Sequence, residues 1–71
     1  MEFSEKISYV REKLNISQED LARALNMSFA TINRWENAKT KPIKVAQAAF
    51  DSFCESHDIK FDESNEITHN D

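Results

Sequence analysis

Two serines, Ser17 and Ser28, each precede a short apolar pattern with helical spacing, and these two helix caps constrain the fold of this chain most strongly. A serine hydroxyl accepts hydrogen bonds from the free N–H groups of a first helical turn. Asp20 follows Ser17 at the spacing of a capping box. Asn26 lies between the two patterns, and asparagine tolerates the left-handed conformation that ends helices. The sequence therefore predicts two short helices joined by a tight turn.

Apolar residues recur every three or four positions along most of the chain, which is typical of helices that bury one face. The four stripes are Phe3, Ile7, Val10 and Leu14; Leu21, Ala22 and Leu25; Ile32 and Trp35; and Ala46, Ala49, Phe50 and Phe53. We predict an all-α fold whose first helix runs from about Ser4 to Leu14. Pro42 suits the first turn of the last helix, which we expect to end near Ser56 or His57. The two central helices have the outline of a helix-turn-helix.

The C-terminal part of the sequence has a different pattern. Ile59, Lys60 and Phe61 alternate like a short strand, and residues 62–71 are polar and acidic. We therefore divide the chain into a helical domain, 1–57, and an acidic C-terminal strand or tail, 58–71. Because Ile59 and Phe61 would lack a partner strand, we predict that two copies pair there as a homodimer.

Charge is distributed unevenly in this chain, whose formal net charge is −4. Residues 1–41 carry seven Lys and Arg against six acids, whereas residues 42–71 carry two against seven. This asymmetry indicates nucleic-acid contact by the first part. The single cysteine, Cys54, excludes an internal disulfide, and no apolar run approaches the roughly 20 residues of a membrane helix. The acidic, polar start has no signal-peptide pattern, so we expect a cytoplasmic protein without membrane contact.

Catalysis is not expected from this sequence. A chain without glycine has no glycine-rich phosphate loop, and no Ser-His-Asp or Cys-His arrangement is present. Cys54 and His57 stand three residues apart, but two ligands without a second pair make a poor metal site. We expect no catalytic residue, metal or cofactor, and a small metal-dependent hydrolase is the least favoured alternative.

The run from Ile16 to Lys39 resembles the Cro and phage-repressor class of helix-turn-helix regulators, the XRE family. The similarity lies in a Ser-Gln start to helix 2, Leu-Ala within it, a serine cap on helix 3 and a Trp-Glu-Asn ending. With helices 1 and 4 it covers about residues 4–57. The resemblance implies a four-helix repressor-like domain, with or without a short C-terminal strand. It also implies sequence-specific binding of double-stranded DNA by a transcriptional regulator, with helix 3, about residues 28–36, in the major groove.

The resemblance assigns roles to individual residues. Gln18 and Ser28 match phosphate contacts, and Gln18 also matches a brace for the recognition helix. The positions that face base edges are Phe29, Ala30, Thr31, Asn33 and Arg34, and those that contact the DNA backbone after the helix are Asn37, Lys39 and Lys41. Arg11 and Glu36 match an ion pair between helix 1 and the end of helix 3. General chemistry agrees, since helix N-termini attract anions and Asn and Arg suit adenine and guanine edges.

Two residues and one function remain open from the sequence. The family often has glycine where this chain has Ala38, so either the loop after helix 3 has a different shape or Ala38 is strained in a left-handed conformation. Phe29 suits either a buried staple or a side chain facing the groove. The main alternative function is a protein-interaction module, such as an antitoxin or partner-binding regulator, that binds a protein through the acidic C-terminal part.

Overall fold

Four helices make up the fold. The computed structural model describes residues 1–38 and 40–61, which form α1 (Phe3–Leu14), α2 (Gln18–Leu25), α3 (Phe29–Asn37) and α4 (Lys44–Ser56). The predicted all-α, four-helix architecture is thereby confirmed. Residues 59–61 are irregular rather than extended in a sheet, and no strand forms within the described ranges. None of the four helices is both long and apolar enough to cross a membrane.

Side chains cap the beginnings of the two central helices. The Asp20 N–H donates to Ser17 Oγ at 3.0 Å, and the Ser17 N–H donates to the Asp20 carboxylate at 3.2 Å, which completes the capping box. These bonds from Ser17, the backbone one foremost, hold the pKa of Asp20 below its ordinary value. Ser28 Oγ accepts from the Thr31 N–H at 3.2 Å. Both serines therefore start helices as the sequence predicts.

A left-handed residue lies one or two positions after the end of three of the four helices, and none of these residues is glycine because the chain has none. Asn15, Asn26 and Asp58 have φ angles of 57°, 59° and 57°. In each case the next residue is apolar, and its N–H donates a hydrogen bond to the carbonyl oxygen five residues earlier. These bonds run from Ile16 to Arg11, from Met27 to Ala22 and from Ile59 to Cys54, at 3.0, 2.8 and 2.8 Å. Each turn thus satisfies a terminal carbonyl and directs an apolar side chain to the core.

The connection between α3 and α4 differs from our expectations. Ala38 has φ −118° and ψ 147°, an extended conformation, and its N–H donates to the Arg34 carbonyl at 2.8 Å. Of the two alternatives, the strained, left-handed Ala38 is therefore wrong, and the loop after α3 has the different shape, because α3 ends without the turn that needs glycine. Pro42 precedes the first turn of α4 instead of lying in it, since Ile43 is the N-cap and Lys44 the first helical residue.

The core lies between α3 and the other helices. Ile7, Val10, Leu21, Ile32 and Phe50 are fully buried, and Trp35 is nearly so. The Phe3 ring meets the Trp35 and Phe50 rings edge-on, with centroids 5.1 and 5.2 Å apart. Ile32 and Trp35 thus fix the inner side of α3, and the opposite side is left to solvent.

The chain folds back onto this core after α4. Ile59 is buried, and the Phe61 ring lies 5.6 Å from Tyr9 and 6.5 Å from Phe50. Lys6 Nζ lies 5.0 Å above the Phe61 ring. Ile59 and Phe61 therefore pack against other residues of the same molecule, and the premise that they need a strand from a second copy is wrong.

Candidate nucleic-acid interface

The outer side of α3 presents polar side chains next to a short apolar start. Arg34 and Asn37 are exposed, and Thr31 and Asn33 are half-buried. These four share the helix with the buried Ile32 and Trp35, which hold it against α1 and α2. The helix therefore offers its polar side to a ligand while its apolar side keeps it in place.

The first two residues of α3 are apolar and open to solvent. Phe29 is 50% exposed, and Ala30 is exposed too. The alternative in which Phe29 is a buried staple is therefore wrong. Ser28 precedes them, and its hydroxyl also lies 2.9 Å from the Thr31 hydroxyl. This end of the helix combines free N–H groups, two hydroxyls and an apolar tip.

Glu36 is the centre of a hydrogen-bond network that joins three helices. Arg11 Nη1 lies 2.9 Å from each Glu36 carboxylate oxygen, as the ion pair implied by the resemblance requires. The Ser8 hydroxyl donates to the same carboxylate at 2.8 Å, and Gln18 Nε2 donates to it at 2.8 Å. Arg11 Nε also donates to the Ile16 carbonyl at 3.2 Å. The network therefore ties α1, α2, α3 and the loop after α1 together.

The protonation state of Glu36 follows from these contacts. Burial alone raises the pKa of this carboxyl, but hydrogen bonds from Gln18, Ser8 and Arg11, together with the Arg11 charge, lower it below its ordinary value. Glu36 is therefore ionised at neutral pH and acts only as a hydrogen-bond acceptor.

Gln18 extends the network to the outer side of α3. Its Oε1 accepts from Asn33 Nδ2 at 3.1 Å while its Nε2 donates to Glu36. The structure thus connects a residue expected to face bases to the ion pair between helices. The sequence did not identify Ser8 or the Asn33 contact. The only signal for Ser8 was its position three residues before Arg11 on the same helix.

The positions expected to contact the DNA backbone are placed unequally. Asn37 is the last residue of α3, and Lys41 is exposed in the loop that follows. Lys41 lines a groove with Thr31 and Arg34, and the exposed side chains of Ile43 and Val45 form its other wall. Lys39 lies outside the described residues. One loop lysine and Arg34 therefore border the same groove.

Cys54 and His57, which stand three residues apart in the sequence, have different surroundings in the structure. Cys54 is buried, and burial raises the pKa of its thiol to about 11, which favours the neutral thiol over the thiolate. His57 Nδ1 lies 3.0 Å from the Phe53 carbonyl oxygen and 3.2 Å from the Ser56 hydroxyl. Among residues 1–38 and 40–61, no three His, Cys, Asp or Glu side chains are grouped to hold a metal ion.

Comparison with known proteins agrees with this arrangement of helices. A family model described as "Helix-turn-helix" matches residues 7–48, more than half of the chain. The chain belongs to the helix-turn-helix family. The resemblance identified from the sequence is thereby confirmed. The helix-turn-helix match contains Arg11, Gln18, Glu36 and the whole of α3, but it ends before Ile59.

A curated helix-turn-helix protein is also similar in sequence. It is the HTH-type transcriptional activator BcrR of Enterococcus faecalis, which is 43% identical over 42 residues. The match covers 59% of this chain and 21% of that protein, so the chain spans only about a fifth of its relative's length. No solved structure matches this helix-turn-helix chain.

Proposed function

We propose that this chain is a transcriptional regulator of the cytoplasm that binds double-stranded DNA sequence-specifically, with α3 in the major groove. The observation that carries the proposal is the outer side of α3, where Thr31, Asn33 and Arg34 face away from a core that fixes the helix. Membership of the helix-turn-helix family supports DNA binding in transcription regulation. In such domains the second helix of the motif lies in the major groove and its side chains contact base edges.

Each group of α3 has chemistry suited to one part of DNA. The Arg34 guanidinium can donate two hydrogen bonds to a guanine edge, and Phe29 and Ala30 can contact thymine methyl groups. Ser28, at the helix N-terminus, suits a phosphate. Asn37, Lys39 and Lys41 suit further phosphates, which position the protein without selecting a sequence.

Arg34 and Lys41 border the same groove, so the test compares the variants Arg34→Ala and Lys41→Ala. Duplexes bound by the unaltered chain are first selected from random sequences, and titrations then use the best duplex and its single mismatches at several salt concentrations. We expect Arg34→Ala to lose discrimination at one base pair, about 1–3 kcal/mol, because a bidentate contact is lost. Lys41→Ala should weaken all duplexes alike and reduce the log-log salt slope by roughly one unit.

Two results would contradict this proposal. If no duplex is retained by the unaltered chain, the domain does not bind DNA alone. If Arg34→Ala weakens binding to every duplex equally, Arg34 contacts phosphate, and α3 does not recognise a base through that side chain.

We also propose that the chain acts as a homodimer, through a surface other than Ile59 and Phe61. Ile43 and Val45 are 74% and 78% exposed and stand beside Arg34 in the groove. A second copy at this surface would place two recognition helices on the same side of the dimer, as paired half-sites about 34–36 Å apart on one DNA face require. Sedimentation of the double variant Ile43→Ser, Val45→Ser should show a monomer, and Phe29→Ser is the control at another exposed apolar site. A monomeric unaltered chain at tens of micromolar would contradict the proposal.

The protein-interaction alternative gains no support from these observations. Its acidic residues from Asp62 onward lie outside the described part of the chain.

A further inference from the structure

We propose that Gln18 is a positioning residue that makes Asn33 select adenine, an inference that rests on the DNA-binding function proposed above. Gln18 belongs to α2 and Asn33 to α3, and their amides are hydrogen-bonded at 3.1 Å. The ionised carboxylate of Glu36 determines the orientation of both amides.

The ionised Glu36 carboxylate can only accept hydrogen bonds. Gln18 lies 2.8 Å from Glu36 Oε1, so it must turn its NH₂ group toward Glu36 and its carbonyl oxygen away. That carbonyl oxygen can in turn only accept, so Asn33 must turn its own NH₂ group toward Gln18. The orientation of each amide thus follows from hydrogen-bond chemistry.

Arg11 and Ser8 keep Glu36 in place for this purpose. Both donate to its carboxylate, at 2.9 and 2.8 Å. Only 14% of the Glu36 side chain is exposed, and its lowered pKa keeps it ionised at neutral pH. The acceptor that orients Gln18 is therefore charged and is held by two donors from α1.

The Asn33 amide retains one N–H donor and its carbonyl acceptor for DNA. In the major groove adenine offers an N6–H₂ donor beside the N7 acceptor, which is the matching pair. Guanine offers two acceptors there, so the Asn33 oxygen would face another oxygen. Cytosine offers only a donor at this edge, and thymine an acceptor and a methyl group. The held amide therefore favours adenine.

The decisive experiment measures base preference at one position. After selection with the unaltered chain, Asn33→Ala identifies the base pair that Asn33 reads, where we expect adenine to be preferred by roughly 5- to 150-fold. Gln18→Ala is then titrated against duplexes carrying each of the four base pairs at that position. We expect the adenine preference of Gln18→Ala to fall severalfold at that position, and its base preferences at all other positions to be unchanged. The double variant Gln18→Ala, Asn33→Ala should lose no more preference than Asn33→Ala alone.

Asn33→Asp supplies a variant of nearly the same size. An aspartate cannot donate to Gln18, and its oxygens suit the N4–H₂ group of cytosine, so we expect the preference at this position to move from adenine to cytosine. Thermal melts of all variants show whether each is folded at the titration temperature. A change of preference at one base pair distinguishes positioning from general destabilisation, which would weaken all duplexes together.

The outcomes separate this inference from the proposed function. Failure of the unaltered chain to bind any duplex contradicts DNA binding, and the inference falls with it. Binding with no adenine preference at the Asn33 position overturns the inference alone. So does a Gln18→Ala variant that keeps the full preference, or one that weakens all duplexes equally, which would make Gln18 a phosphate contact.

Discussion

Glu36 shows how much one side chain contributes to this small domain. Its carboxylate accepts from Ser8, Arg11 and Gln18, which lie on two other helices. Removing such a carboxylate leaves several donors without their acceptor, which costs more than the hydrogen bonds themselves gain. Glu36 is therefore a structural residue that joins α3 to α1 and α2.

Replacing Glu36 with glutamine should make the free energy of unfolding depend less on pH in the acid range. We expect Glu36→Gln to lower the free energy of unfolding at pH 7 by about 1.5–3 kcal/mol, the range for hydrogen bonds to charged groups. The pKa of Glu36 is lowered by folding, so its contribution is fully present above the ordinary value of 4.5 and is lost as the pH falls through the folded pKa. Urea titrations from pH 7 to pH 3 measure the difference between the two proteins.

The control for this prediction is Glu12→Gln, which removes the same charge from an exposed position of α1. We expect it to change stability little at any pH. A gap between Glu36→Gln and the unaltered chain that stays constant down to pH 3 would show that the Glu36 charge does not stabilise the fold.

Residue roles were only partly predictable from the sequence. The positions of Arg11 and Glu36 came from the resemblance, and the structure places the two side chains in contact. The contact between Gln18 and Asn33 requires α2 and α3 to approach at a particular angle. That angle depends on packing of Leu21 and Ile32 in the core, which no local pattern encodes.

At the scale of the elements, the ends of the helices separate what local sequence determines from what it does not. Ser17, Ser28 and Asn26 act through bonds to neighbours within a few residues, so their roles were predictable. Pro42 was wrongly placed, and the conformation of Ala38 stayed open, because the path of a loop between two packed helices depends on where those helices lie. The resemblance supplied a glycine position whose backbone geometry this chain does not share.

Glycine substitutions at two helix ends should have different effects. Ala38 is extended, so Ala38→Gly adds only flexibility, and we expect it to lower stability by about 0.4–1 kcal/mol. Asn26 has φ 59°, which glycine adopts without steric cost, so Asn26→Gly should lower stability less or raise it. Thermal melts of the two variants decide the comparison. Stabilisation by Ala38→Gly would instead indicate strain in the loop after α3.

At the scale of the whole molecule, the segment after α4 closes the core. Ile59 is buried and Phe61 stacks near Tyr9 and Phe50, so these residues belong to the packing of the domain. Alternation over three residues predicted a strand, but the same spacing also arises when two side chains of an irregular segment turn inward. The sequence alone distinguishes a strand from such an irregular segment poorly. Only the positions of α1 and α4 show whether the core has an apolar surface that the segment can cover.

The small number of polar groups on the outer side of α3 also limits how well one domain can distinguish its own site from the other sites in a genome. Thr31, Asn33 and Arg34 can each specify at most about one base pair, and every fully specified pair reduces the competing sites fourfold. A genome of about 10⁶ sites then demands roughly ten such pairs. Even two copies of α3 fall several pairs short on polar contacts alone. On the proposed function, the remaining selectivity would come from Phe29 and Ala30 against thymine methyl groups, and from how readily each DNA sequence takes the required shape.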